Sequence, residues 1–150
     1  MGVVRIQDLA VAPVALTGTE LVEIEQAGVS YRTTAQAIAD LASSVTALTI
    51  SAGVVNIDCS LGDFFTLALT ANVTSITFTN LPASGKAVSL ALRATQDATG
   101  GRTVALPASF KATTGSDTAV QSAANAITIV TLTTFDQGTR WEYTMRGVAA

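Results

Sequence analysis

The chain has 150 residues, 49% hydrophobic and only 13% charged, with eight Lys/Arg, eleven Asp/Glu, no His and a formal charge of −3. That length suits one domain with a core plus an appended arm. The scattered single cations exclude a phosphate-binding surface for nucleic acid, and the lack of His removes the commonest general base and metal ligand. Charge at about half the usual ~25% predicts a surface coated with Thr, Ser and Asn and partly covered by other subunits.

The opening "MGVVRIQDLAVAPVAL" is interrupted by Asp8 and Pro13, so no secretion signal is expected. Residues 1–44 read as a docking arm. In "LVEIE" (residues 21–25), Val22 and Ile24 alternate with Glu23 and Glu25, which suits a half-exposed strand. A turn at Ala27-Gly28 and "VSYR" complete a small hairpin. "TTAQAIADLA" then predicts one short helix with Thr33 as its cap and Gln36 completing a capping box. Its narrow stripe of Ala37, Ile38 and Leu41 cannot hold it folded alone, so it must dock. Glu20, Glu23 and Glu25 read as solvated arm residues or partners for a basic surface on another protein.

From Val45 onward the apolar period is two, which predicts a β domain over residues 45–150. Strands are expected at residues 54–58, 64–69, 72–79, 87–93, 102–106, 126–135 and 140–145, rich in Val, Ile and Thr with turn residues between them. No helical crossover pattern points to a parallel sheet. The predicted fold is therefore all-β: an antiparallel β-sandwich or jelly-roll-like domain behind the arm. In "ITIVTLTTF", Val130 and Leu132 lie opposite Ile127 and Ile129. A strand apolar on both faces is covered on both sides, so Val130 and Leu132 are expected to meet another subunit. No charge falls between Asp63 and Lys86, yet that stretch holds Thr, Ser, Asn, Pro82 and Gly85, so no membrane helix is expected there. Aromatics at 5% are too few for the girdles of a membrane barrel.

Candidate chemistry is sparse. "QDATGGRTVALP" carries Gly100-Gly101 and an arginine, as a phosphate-cradling loop would. It lacks both the dinucleotide and the P-loop spacing, so a hairpin turn is predicted. Cys59 has no His partner and reads as a buried structural thiol. Asp58, Asp63, Asp97 and Asp136 fall at strand ends, where Asp is common for local hydrogen bonds, and no catalysis and no cofactor are expected. Trp141 and Tyr143 share a strand face. Core packing is the default for them; the alternative is a carbohydrate-binding platform for a host surface sugar, with Asp97 and Asp136 nearby.

Three segments together resemble a known group. "LTGTELVEIEQAGVSYRTTAQAIADL" (residues 16–41) resembles the N-terminal element of many tailed-bacteriophage virion proteins. "RATQDATGGRTVALPASF" (residues 93–110) resembles the Gln-x-x-x-Gly-Gly hairpin of small β domains in phage tail-fibre and related appendage proteins. "TTFDQGTRWEYTM" (residues 133–145) is similar to the last hairpin of that domain. The resemblance implies a non-enzymatic, homotrimeric structural module of the virion, assembled in the host cytoplasm. It would be a short tail fibre or head spike, a tail or baseplate adaptor, or a capsid cement protein. The arm would bind other capsid or tail proteins. The contact residues expected are Val22, Ile24, Tyr31, Ile38 and Leu41 in the arm, with Val130 and Leu132 in the sheet.

Overall fold

The computed structural model describes residues 21–26 and 29–149. Among the described residues the protein is all-β, with one short α-helix and a 3-10 turn at Cys59–Leu61. The chain divides into two units, Met1–Asp40 and Leu41–Ala150.

In the first region β1 (Leu21–Gln26) pairs antiparallel with β2 (Val29–Thr34), in a register that sets Val22 against Thr33 and Ile24 against Tyr31 along the backbone. The turn predicted at Ala27-Gly28 lies outside the described residues. Helix α1 (Ala35–Ser43) follows directly. Its cap is Thr34, one residue later than predicted: the Thr34 hydroxyl accepts from the Ala37 amide at 3.0 Å. Gln36 donates instead to the Asp40 carboxylate, one turn on, and makes no capping box. Two adjacent threonines leave the cap ambiguous in the sequence; the hydrogen bond decides it.

The remaining strands are β3 (Val45–Leu48), β4 (Val54–Asp58), β5 (Phe64–Leu69), β6 (Ser75–Thr79), β7 (Val88–Gln96), β8 (Phe110–Ala112), β9 (Ile127–Thr134) and β10 (Trp141–Gly147). A six-stranded sheet has the order β3-β5-β7-β9-β10-β8, and β4-β6 form a second sheet. From β3 to β7 the chain alternates between these sheets, so successive strands within each are parallel: β3 with β5, β5 with β7, and β4 with β6. Only β7–β9 and β9–β10 are antiparallel in the large sheet, and β8 adds to β10 in parallel.

The all-β prediction holds, whereas the expectation of purely antiparallel pairing does not. Parallel neighbours need a crossover, and here a strand in the opposite sheet supplies it where a helix was looked for. Alternation of apolar residues reports which face is buried, not the direction of the neighbour.

Both sheets contribute to one core. Val55 and Ile57 of β4 and Ile76 of β6 join Phe65, Leu67, Leu90, Leu92, Leu132, Trp141 and Met145 from the large sheet. Buried polar groups are matched: Thr134 donates to the Asp136 carboxylate at 2.9 Å, and the Thr128 hydroxyl accepts from the Gln121 amide at 2.9 Å. Among the described residues no helix is long and apolar enough to cross a membrane.

Candidate functional site

The loop after β7 shows what the glycine pair is for. Gly100 and Gly101 both have positive φ (73° and 75°), which L side chains resist. The Asp97 carboxylate accepts from the Thr99 amide at 3.0 Å, the Gly100 amide at 2.8 Å and the Arg102 guanidinium at 2.8 Å. A loop whose amides converge on an anion is a nest for phosphate or carboxylate. This one is already filled by the chain's own Asp97, whose pKa is held below the usual value chiefly by Arg102 and then by Gly100.

The expected hairpin is corrected in one respect. Residues 102–106 form no strand with β7, and Val104 makes an isolated parallel bridge to Val73. Gln96, buried just before the loop, donates to the Arg102 and Gln121 carbonyls at 2.8 Å each and accepts from the Arg102 amide at 3.0 Å. It thereby pins two loops, a role that the spacing Gln-x-x-x-Gly-Gly carried without revealing.

Asp136 has a similar task at the β9–β10 turn. It accepts from Thr134 and from the Arg140 amide at 2.9 Å each, and the Arg140 amide is the main cause of its lowered pKa. Asp58 accepts from Ser60 and Asn80, and these bonds lower its pKa as well. Burial pushes the Cys59 thiol up, with Asp58 and Asp63 adding to the effect, so it stays protonated and poorly nucleophilic. Among the described residues no cluster of His, Cys, Asp or Glu could hold a metal ion.

Trp141 and Tyr143 do not form a stacking platform. The Trp141 ring is 1% exposed and stacks on Phe78 at a centroid distance of 4.2 Å, and Tyr143 is buried beside Phe110. Asp97 and Asp136 each close their own turn.

Val130 and Leu132 are corrected too: both point into the core, Leu132 with no exposure at all. The outward face of β9 belongs to Ile127, Ile129, Thr131 and Thr133, because the register of β7 on β9 sets Leu90 opposite Leu132 and Leu92 opposite Val130. Both sets were apolar in the sequence, and only the second sheet settled which one faced inward. Of the arm residues, Val22 is 37% exposed; the side chains of Ile24, Tyr31, Ile38 and Leu41 lie outside the described residues.

The outward face of the large sheet carries little charge from β3 to β9. One row across it runs Val45, Phe64, Ala91, Thr131, and the next Ala47, Thr66, Arg93, Ile129. Val45 is 66% exposed and Phe64 47%. As far as β9, Arg93 is the one charge in these two rows, and none of the ion pairs among the described residues includes it; on β10 the second row continues with Arg146. Charge gathers instead at the β10 side, where Arg140 pairs with Glu142 at 3.4 Å and Arg146 with Asp117 at 3.5 Å. The exposed apolar residues thus lie at the β3–β5 end of the face and the paired charges at the β10 end; an apolar patch rimmed by polar groups suits a protein contact.

A family described as "Putative phage tail fibre C-terminal domain" matches residues 51–139, more than half of the chain, from just before β4 to the turn after β9. No curated protein and no solved structure matches the chain.

Proposed function

The chain belongs to the phage tail fibre C-terminal domain family, and from that premise we propose that it is a non-enzymatic module that trimerises through the bare face of its large sheet. A structural component of a bacteriophage appendage works by assembly contacts, and the observation that carries this reading is the exposed row of Val45 and Phe64 beside Ala91. Four strands spaced ~4.8 Å apart, each ~20 Å long, offer a footprint of roughly 400 Å². A standard contact takes ~800 Å² per partner. A trimer gives each chain two neighbours, about 1,600 Å² in all, so the sheet face alone is roughly half of one such contact and about a quarter of the total.

The arm is the candidate for the remainder. Leu21 and Val29 are exposed apolar residues on its hairpin, and its helix is too short to be stable undocked. Residues 1–44 would grip a neighbouring copy or another tail protein, with Val22, Ile24, Tyr31, Ile38 and Leu41 as contacts. Tail attachment is favoured over the head by the family itself. Assembly would take place in the host cytoplasm, with no cofactor.

Light scattering tests the reading. The expected mass is three times 15.3 kDa, and Phe64→Glu is expected to give a folded monomer. A monomeric parent chain at micromolar concentration would overturn it.

A further inference from the structure

The second sheet stops one strand short. β6 pairs with β4 on one side; beyond the isolated bridge of Val73, two residues before β6, to Val104, no other segment of the described residues pairs with this stretch. Along that side runs an open groove of about 310 Å³, walled by Ile76, Thr77 and Phe78 of β6 and by Pro107, Ser109 and Phe110 opposite. Side chains alternate across a strand, so three consecutive residues can line one groove only if it follows the strand's edge rather than a face. Ile76 points into the core and Thr77 outward, as that requires. The unpaired main-chain groups of β6 therefore border the groove.

Its floor carries a second free group. Trp141 makes no hydrogen bond through its indole nitrogen, yet no buried nitrogen or oxygen of the described residues lacks a partner. The indole N–H therefore keeps a sliver of exposure, in a residue only 1% exposed. Gly138 keeps that opening: a Cβ there would stand 3.2 Å from Trp141 Nε1 and 3.0 Å from Leu81 Cδ1. No charged residue lines the groove.

We propose that this groove takes an extended, uncharged peptide segment of a partner protein, added as a strand beside β6, with one of its carbonyls accepting from the Trp141 indole. Strand addition draws its affinity from main-chain bonds and its selectivity from alternate side chains. The groove supplies a bare edge, a lone donor and apolar walls for alternate small side chains. At the lower end of the ~300–1,000 Å³ range of small-molecule sites and open to solvent, it is poorly suited to enclosing a compact ligand. The inference stands apart from the trimer: its failure would leave the sheet-face contact untouched.

The chain has one tryptophan, so a ¹⁵N spectrum of the full chain shows a single indole resonance. Titration with the blocked peptide acetyl-Thr-Val-Thr-Val-Thr-amide is expected to move that signal together with the amides of Ile76, Thr77 and Phe78, saturably. Gly138→Ala is expected to weaken binding about tenfold or more, with the rest of the spectrum reporting the fold. Leu81→Phe, which narrows the same opening from the other wall, gives the equivalent reading if the first variant does not fold. No movement at millimolar peptide overturns the proposal. A shift with tri-N-acetylchitotriose but not with peptide also overturns it, in favour of a saccharide site.

Discussion

Gly100 and Gly101 look alike in the sequence and differ in space. A Cβ at Gly100 would meet the Ser122 carbonyl at 2.6 Å and the Ala124 amide at 2.8 Å, both backbone, whereas one at Gly101 would meet nothing within 4 Å. Gly101→Ala is thus expected to cost only the left-handed backbone penalty, ~1–2 kcal/mol. Gly100→Ala adds overpacking, for roughly 2–5 kcal/mol in all; urea denaturation of the two variants checks the difference. Asp97 makes a second prediction. Its folded pKa is depressed, by Arg102 first, so its contribution to stability is present above the unfolded value of ~3.9 and is lost as pH falls through the lower folded value. Asp97→Asn is expected to lower the melting temperature at neutral pH and to flatten the decline below pH ~4. An unchanged acid limb would show that the nest does not depend on this carboxylate.

β9 shows how far a strand can be read from its letters. Its extent, its period and its partner across the Asp136–Gly138 turn were all legible, because β-branched alternation and a turn glycine are local signals. Which face was inner was not, since Ile127, Ile129, Val130 and Leu132 are equally apolar. The structure puts Leu132 in the core and leaves Ile129 half-buried on the outer face. Leu132→Ala is accordingly expected to cost ~2–5 kcal/mol. Ile129→Arg should leave unfolding nearly unchanged while abolishing the trimer in light scattering. Equal effects of the two substitutions on stability would contradict this division of the strand. The segment 102–106 erred the other way: its Val-Ala-Leu alternation is strand-like, yet the Gln96 and Asp97 bonds turn the chain away from β7 and leave a single bridge at Val104.

At the scale of the molecule the question is what covers the sheet. Val45, Phe64 and Phe135 are exposed on a chain with few charges to offer water, and a closed assembly of identical copies removes such a face without creating an open fibre. Deleting residues 1–44 is expected to leave the β domain folded by circular dichroism but unable to enter virions, as read by immunoblot of purified particles. Normal incorporation would remove the arm from the contact. The same deletion is expected to raise the trimer's dissociation constant, because the sheet face is about half a standard contact.

By itself the sequence determined the β class, the places of most turns, the poverty of catalytic groups and the likeness to phage appendage domains. These rest on local chemistry: period, turn residues, and the presence or absence of titratable side chains. Only the tertiary structure decided that strands β3 to β7 alternate between two sheets and run parallel within each, that Trp141 stacks on Phe78, and that Asp97 fills its own loop. Each of those depends on groups far apart in the chain. No local pattern encodes which of two equally apolar faces will find the other sheet.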